Sequence, residues 1–135
     1  MKISVSSDEY TDLVKAVCGY IEKKGHEVVY YGPSAGEEGG TETDWPCVTE
    51  KAVTDVIEQR ADEAIVMCWT GTGASIAANK VKGIRAALCH DAETAKGAFR
   101  CSETNISALN VLKVTWPITC TCIIIQFTGI DKSAP

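Results

Sequence analysis

Apolar residues along the chain follow two spacings, one typical of strands and one typical of helices. Short apolar or β-branched runs predict strands at residues 3–6, 26–31, 64–68 and 84–89. Between these runs, apolar residues recur every three or four positions and predict helices ending near residue 24 and spanning 45–60, 74–80 and 92–100. Further along, residues 106–114 are a candidate fifth strand, and residues 119–127 are a strand or a buried segment.

Strands that alternate with helices predict one α/β domain over residues 1–135, a three-layer open parallel sheet of the Rossmann or flavodoxin-like kind. We expect a strand order close to 2-1-3-4-5. In such sheets ligands bind beyond the carboxyl ends of the strands, at the switch point between strands one and three. Asp8 and the loop after Cys68 are therefore expected to converge there.

Charge and cysteine content narrow the class of protein. A formal net charge of −5 argues against nucleic acid as a partner, because phosphate backbones require a basic surface. Seven cysteines without framework spacing, and no signal peptide, predict thiols in a cytoplasmic protein. The apolar run at residues 122–125 is far too short to cross a membrane.

The most informative segment is residues 66–75, Val-Met-Cys-Trp-Thr-Gly-Thr-Gly-Ala-Ser, where a buried strand enters a glycine-rich loop. Glycines let the backbone approach a ligand closely, and consecutive N–H groups at a helix start bind anions. The segment lacks the Gly-Lys-Ser/Thr ending of nucleotide-triphosphate loops and the spacing of the dinucleotide fingerprint. It predicts a site for a phosphate, a carboxylate or an enediolate oxygen.

Cys68 lies where the strand enters this loop. A thiol beside a helix N-terminus is favoured as the thiolate, which can remove a proton next to a carbonyl. The backbone N–H groups of residues 69–73 would then stabilise the enediolate. The alternative is that Cys68 is an inert, buried small hydrophobic residue, as most buried cysteines are.

Two segments carry a resemblance to a known family. Residues 71–80, Gly-Thr-Gly-Ala-Ser-Ile-Ala-Ala-Asn-Lys, and 83–89, Gly-Ile-Arg-Ala-Ala-Leu-Cys, resemble the core of ribose-5-phosphate isomerase B and the related galactose-6-phosphate isomerase subunits. Residues 1–8 and 24–28 also fit, and the resemblance covers roughly residues 1–110.

The resemblance implies an aldose–ketose isomerase of small sugar phosphates, and it assigns roles to individual residues. Cys68 would be the base and Thr70 would assist at the substrate oxygens, while Asp8 would bind sugar hydroxyls. The anion hole would comprise the loop residues Trp69, Gly71, Thr72 and Gly73. The resemblance also implies a homodimer whose sites are shared between the two subunits, with neither a metal nor an organic cofactor.

Several positions depart from the family pattern. Glu9 replaces the histidine that usually follows the aspartate, and Trp69 replaces a glycine. Trp69 would narrow the pocket or stack on a sugar face, or else pack on a dimer partner. Residues 101–105, Cys-Ser-Glu-Thr-Asn, align with the motif whose histidine opens the sugar ring, and only Asn105 matches fully. His90, after the fourth strand, either faces the site or is a solvated loop residue.

Other candidates carry weaker arguments. Asp44 falls where the family has an acid that lines the pocket, with Trp45 as an aromatic wall; the alternative is a helix cap and a core tryptophan. Residues 113–135 diverge from the family's C-terminal helix, so its phosphate-binding arginines do not carry over. Arg100 and Lys113 are only local candidates for binding a phosphate.

Three functions remain open at this point. The first is an isomerase that uses Cys68 as its base. The second is a sugar-phosphate-binding protein on the same scaffold whose catalysis is lost, motivated by the missing histidine and the altered C-terminus. The third is an unrelated flavodoxin-like module that binds a flavin or receives a phosphoryl group, although the chain lacks the acid pair and lysine of a receiver.

Overall fold

The computed structural model describes residues 1–89, 91–101 and 121–126 of the chain. Five strands and four helices lie in these ranges. The strands are β1 (Lys2–Ser7), β2 (Glu27–Tyr31), β3 (Glu63–Cys68), β4 (Arg85–Cys89) and β5 (Thr121–Gln126). The helices are α1 (Asp12–Lys23), α2 (Trp45–Ile57), α3 (Thr72–Lys80) and α4 (Ala92–Cys101). No helix in these ranges is long and apolar enough to cross a membrane.

The predicted α/β architecture is confirmed. The five strands form one sheet in the order β2-β1-β3-β5-β4, and β1 pairs in parallel with both β2 and β3. Helix α1 packs on one face of the sheet, while α2 and α3 pack on the other. The order β2-β1-β3 is the one expected, and it creates the switch point at the carboxyl ends of β1 and β3.

The last strand differs from the prediction. Instead of extending the sheet beyond β4, β5 lies between β3 and β4 and runs antiparallel to both. A wholly apolar run such as residues 122–125 is best accommodated in the interior of a sheet, where both of its edges are hydrogen-bonded. Residues 106–114, the other candidate for this strand, lie outside the described ranges.

Side chains of β1 and β3 alternate between the two faces of the sheet, as the twofold period of a strand requires. Ile3 and Val5 pack with the fully buried side chains of α1, namely Val14, Val17 and Ile21. Each of these apolar side chains contributes about 2 kcal/mol by its burial. The intervening residues of β1, Ser4 and Ser6, therefore face α2. On β3, Ala64, Val66 and Cys68 belong to the core on the α2 side.

A buried polar network joins β1 and β2 to the last turn of α2. Asp55 is only 2% exposed, and its carboxylate accepts hydrogen bonds from Ser4 Oγ at 2.8 Å, Tyr31 OH at 2.6 Å and Arg60 Nε at 2.8 Å. Burial alone would raise the pKa of Asp55, but these three donors lower it below its usual value. The network fixes α2 against the sheet, with the N-terminus of α2 directed toward the carboxyl ends of the strands.

Helix α1 begins later than the first polar residues after β1. Thr11 is its N-cap, and the Thr11 hydroxyl accepts a hydrogen bond from the N–H of Val14 at 3.4 Å. Asp8 and Glu9 consequently lie outside the helix, in the loop at the edge of the sheet. Both carboxylates remain available to a ligand.

Candidate active site

The glycine-rich loop is short because α3 begins two residues earlier than the sequence predicts. Gly71 has a φ of +71°, a left-handed conformation that favours glycine, and it forms the N-cap of the helix. Its N–H donates to the carbonyl of Cys68 at 3.2 Å, which closes the turn. Thr72 and Gly73 therefore lie in the first turn of α3, where N–H groups have no intrahelical acceptor and favour an anion.

Cys68 is the last residue of β3 and is 5% exposed. It belongs to the core cluster between the sheet and helices α2 and α3, which also includes Ala74. Only the turn of residues 69–71 separates Cys68 from the first residue of α3. A thiol and a set of N–H donors are therefore close along the chain at this end of the sheet.

Asp8 lies across from Cys68. The parallel register pairs Ser7 with Met67. The residues that follow them, Asp8 and Cys68, are therefore neighbours at the carboxyl ends of these two strands. Partial burial raises the pKa of Asp8, and the negative charges of Glu9 and Asp44 raise it further. Three carboxylates therefore gather on the β1 side of the site.

Asp44 is the N-cap of α2, and its Oδ1 accepts a hydrogen bond from the N–H of Trp45 at 2.9 Å. Of the two roles considered for Asp44, the structure shows the cap, and its charge also acts on Asp8. Trp45 is partly buried against the core that contains Cys68. Its indole ring also lies directly against the backbone of Gly73.

Trp69 and Thr70 are both exposed. Trp69 is 73% exposed, the largest value among the exposed large hydrophobic residues of the described chain. The Thr70 hydroxyl accepts a hydrogen bond from the N–H of Thr72 at 3.4 Å, which ties its side chain to the loop. Trp69 therefore remains a candidate for contact with a substrate or a partner, while Thr70 lies within the glycine-rich loop.

Several predicted residues cannot be placed. Asn105, Lys113 and His90 lie outside the described residues, as does the side chain of Arg100. The other histidine, His26, precedes β2 at the opposite edge of the sheet, where its Nδ1 is 3.5 Å from the N-terminal nitrogen. His26 is therefore remote from Cys68.

The structure adds residues that the sequence did not indicate. Gly39, in the loop between β2 and α2, lies close to Asp8, since a Cβ on it would be 3.1 Å from the Asp8 carbonyl oxygen. Thr121, the first residue of β5, pairs with Cys68 in the sheet. Ser6 and Thr49 are fully buried below the site, and neither hydroxyl has a hydrogen-bond partner in the described part of the chain. No sequence pattern distinguishes such residues from ordinary core positions.

Asn79, in the motif that carries the family resemblance, has a structural role. Its side-chain nitrogen donates to the carbonyl of Ala86, and its side-chain oxygen accepts from the N–H of the same residue, at 2.9 and 3.0 Å. These two bonds join the last turn of α3 to β4. The orientation of α3, and thus of its N-terminus at the site, depends on this contact.

Within the described ranges, no group of three or more His, Cys, Asp or Glu side chains is arranged to hold a metal ion. The site that the structure does show consists of a thiol, a helix N-terminus, carboxylates and an aromatic ring. This set can bind an anionic or polyhydroxy ligand and transfer a proton within it.

Comparison with known proteins identifies relatives of this chain. The galactose-6-phosphate isomerase subunit LacB of Clostridium acetobutylicum is 36% identical over 81% of this chain and 61% of its own length. Ribose-5-phosphate isomerase B of Escherichia coli is 32% identical over 79% of this chain and 70% of its own. The chain thus spans less than two thirds of the LacB relative.

Solved structures agree with these relatives. Ribose-5-phosphate isomerase B of Clostridium thermocellum superposes with a TM-score of 0.66 and 37% identity, covering 81% of this chain and 72% of that one. The Thermotoga maritima enzyme gives 0.64 and 38%, covering 73% and 66%. A family model described as ribose/galactose isomerase matches residues 3–128. These matches confirm the resemblance carried by residues 71–80 and 83–89, and the chain belongs to the ribose/galactose isomerase family.

Proposed function

We propose that this chain is an aldose–ketose isomerase acting on a small sugar phosphate similar to ribose 5-phosphate. The observation that carries the proposal is the position of Cys68, a buried residue at the carboxyl end of β3 directly before the turn into α3, with Asp8 in the loop that follows the adjacent strand β1. This position supports the proposal, because a base and an anion-stabilising group would then lie around one volume at the switch point of the sheet.

The reaction is a proton transfer between neighbouring carbons. The Cys68 thiolate takes the proton from C2 of the open-chain aldose, and the electrons of that C–H bond form the C1–C2 double bond as the carbonyl electrons move to O1. The resulting enediolate is stabilised by the N–H groups at the start of α3. The Cys68 thiol then returns the proton to C1 while O2 becomes the new carbonyl, and the thiolate is regenerated.

Thr70 is assigned to the substrate oxygens. A hydroxyl both donates and accepts a hydrogen bond, so Thr70 can pass a proton between O1 and O2 as the carbonyl moves from one carbon to the next. Its position in the loop that leads from Cys68 to α3 supports this role, as does its hydrogen bond with the N–H of Thr72.

Asp8, Glu9 and Asp44 form the end of the site that receives sugar hydroxyls. Carboxylates accept hydrogen bonds from hydroxyl groups and repel a phosphate, so we assign the phosphate to the opposite end of the substrate. Trp69 is a candidate wall for the sugar, and Asn105, Arg100 and Lys113 stay predictions for the remaining contacts.

The names of the relatives support the substrate class. They include galactose-6-phosphate isomerase, ribose-5-phosphate isomerase B and D-erythrulose-4-phosphate isomerase, whose substrates are phosphorylated sugars of different lengths. We assign the chain to the cytoplasm, because Cys18, Cys47, Cys68 and Cys89 are not in disulfides. We also assign it a homodimeric state, with the exposed Trp69 beside the partner.

A sugar-phosphate-binding protein is the second candidate. The observation that favours it is Cys101, which stands where the family's ring-opening histidine is expected. In that case ligand would stabilise the fold without being converted.

The test is an isomerisation assay of the purified chain on ribose 5-phosphate and a panel of other aldose phosphates, with thermal unfolding of the same samples. The isomerase proposal predicts turnover on at least one sugar, with a kcat of about 1–1,000 s⁻¹. A raised Tm with a panel member but no turnover on any of them would instead establish the binding protein. Omitting the phosphate from the best substrate measures how far the phosphate itself is required.

A further inference from the structure

The indole ring of Trp45 is in unusually close contact with Gly73. A Cβ placed on Gly73 would lie 3.1 Å from Trp45 Cε3 and 3.2 Å from Cδ2 and Cζ3, which is closer than ordinary van der Waals contact. Gly73 is not among the glycines with positive φ, so its backbone conformation does not itself require glycine. A side chain at this position would instead press on the tryptophan ring, which would have to shift by a few tenths of an ångström to admit it.

Trp45 is itself held in place. It is the first residue of α2, its N–H donates to Asp44 Oδ1 at 2.9 Å, and it is followed by Pro46 in the first turn. Its ring packs on the core cluster that contains Cys68 and Ala74. A small displacement of the ring would therefore be transmitted to α3 and not absorbed by free rotation of the side chain.

Gly73 belongs to the first turn of α3, whose N–H groups form the anion-stabilising part of the site. The distance between those N–H groups and the Cys68 thiol depends on how α3 packs against α2 at this point. We infer that Trp45 is a positioning residue, which acts through its contact with Gly73 to hold the α3 N-terminus at the correct distance from Cys68. This inference rests on the proposed isomerase function.

The test uses Gly73→Ala, which adds one methyl group against the ring. The N–H groups stabilise the enediolate more than the substrate, so kcat is expected to fall about tenfold while KM changes little. Affinity for inorganic phosphate, measured by calorimetry as a probe of anion binding at these N–H groups, is expected to fall about threefold.

A second substitution separates positioning from a general effect of alanine. Trp45→Leu removes the ring atoms that the new methyl group would meet, and the double variant with Gly73→Ala is expected to recover most of the lost kcat. Gly19→Ala is the matched control, because a Cβ on Gly19, in the middle of α1, meets nothing within 4 Å. This control is expected to keep the wild-type kcat and KM.

The outcomes are distinct. Wild-type kcat in Gly73→Ala, or a double variant no better than Gly73→Ala, would overturn the positioning role while leaving the isomerase proposal intact. If Gly73→Ala does not fold, Trp45→Leu alone decides: a reduced kcat at an unchanged KM supports the inference, and wild-type kinetics overturn it. If the wild type turns over no sugar but Gly73→Ala still weakens phosphate binding, the isomerase proposal fails, and what stands is that the contact between Trp45 and Gly73 sets the anion affinity of the α3 N-terminus.

Discussion

The interface between β1 and α2 has two halves of opposite character. In the half near the amino end of β1, Asp55 accepts three hydrogen bonds, among them those from Ser4 and Tyr31. In the half near the carboxyl end, Ser6 and Thr49 are fully buried with no hydrogen-bond partner among the described residues. Beyond them, the carboxylates of Asp8 and its neighbours repel one another.

The same two elements thus serve stability at one end and the site at the other. A buried polar group with all its hydrogen bonds made rigidifies a core, whereas an unpaired hydroxyl or a group of like charges destabilises it. Proteins tolerate such features mainly where a ligand is bound. We therefore expect substitutions in the half near the amino end to lower the free energy of unfolding. Substitutions in the half near the carboxyl end are expected to raise it, and to lower turnover where the residue contacts the substrate.

The largest effect on stability is expected for Asp55→Ala. It leaves the Ser4 and Tyr31 hydroxyls unpaired in the core and removes the partner of Arg60, so the free energy of unfolding should fall by about 4 kcal/mol. Urea unfolding measures this change. Tyr31→Phe, which removes one donor, should lower it by only about 1 kcal/mol. Equal losses in the two variants would show that the hydrogen bonds from Ser4 and Arg60 add nothing to the stability.

Glu63, the first residue of β3, tests whether all buried polar groups at the amino end of the sheet have hydrogen-bond partners. Glu63 is 4% exposed, and its Oε1 has no hydrogen-bond partner within the described ranges. Burial raises the pKa of Glu63 to about 7, with a further contribution from the charge of Asp62. The folded state therefore holds its proton more tightly than the unfolded state, where the pKa is near 4.5. Stability should fall as the pH rises from about 4.5 to about 7, by about 3 kcal/mol in total.

Glu63→Gln has no titrating group at this position and should lose this pH dependence. The relevant measurement is the slope of the unfolding free energy against pH. The absolute stability is not comparable, because the buried amide of Glu63→Gln changes the stability of that variant by the same amount at every pH. A slope between pH 4.5 and 7 that is identical in wild type and Glu63→Gln would contradict the assignment.

Thr49→Val is expected to stabilise the protein. The substitution keeps the shape of the side chain while removing a buried hydroxyl that has no partner among the residues the structure describes, so the free energy of unfolding should rise by about 1 kcal/mol. The variant should shift the urea midpoint upward without changing the m-value. A fall in stability would mean that the hydroxyl is paired in solution and that the two halves of the interface are alike.

The smallest change in stability, and a large change in activity, is expected for Asp8→Asn. Removing one of three neighbouring carboxylates should raise stability by a few tenths of a kcal/mol at pH 7. Because the pKa of Asp8 is raised, this gain should disappear at low pH, where Asp8 is protonated in both states. Turnover should fall about 100-fold. Unchanged turnover would remove Asp8 from the site.

The strands and the switch point could be predicted from the sequence because they depend on local patterns. The apolar run of β3 and the alternating pattern of β1 identify neighbouring parallel strands, and the topology then places Asp8 beside Cys68. The position of β5 could not be predicted in this way. Insertion between β3 and β4 is decided by long-range pairing. The apolar sequence of residues 122–125 favours an interior position but does not indicate which strands flank it or in which direction it runs.

The site was partly predictable for the same reason. The glycine-rich loop and Cys68 are adjacent in the sequence, so the sequence alone indicates their chemistry. The contact between Trp45 and Gly73 joins two helices that are distant along the chain, and only packing reveals it. Whether Asp44 caps a helix or binds a ligand likewise depends on where its carboxylate lies, and the structure shows the cap.

The most direct test of the central claim is the turnover of Cys68→Ala beside that of the wild type, on the best sugar phosphate of the panel. Cys68 is buried in the core cluster, so thermal unfolding must first show that the variant folds. If Cys68 is the base, kcat should fall by at least about 1,000-fold in the folded variant. A folded Cys68→Ala that isomerises the sugar at the wild-type rate would show that the proton is removed by another group.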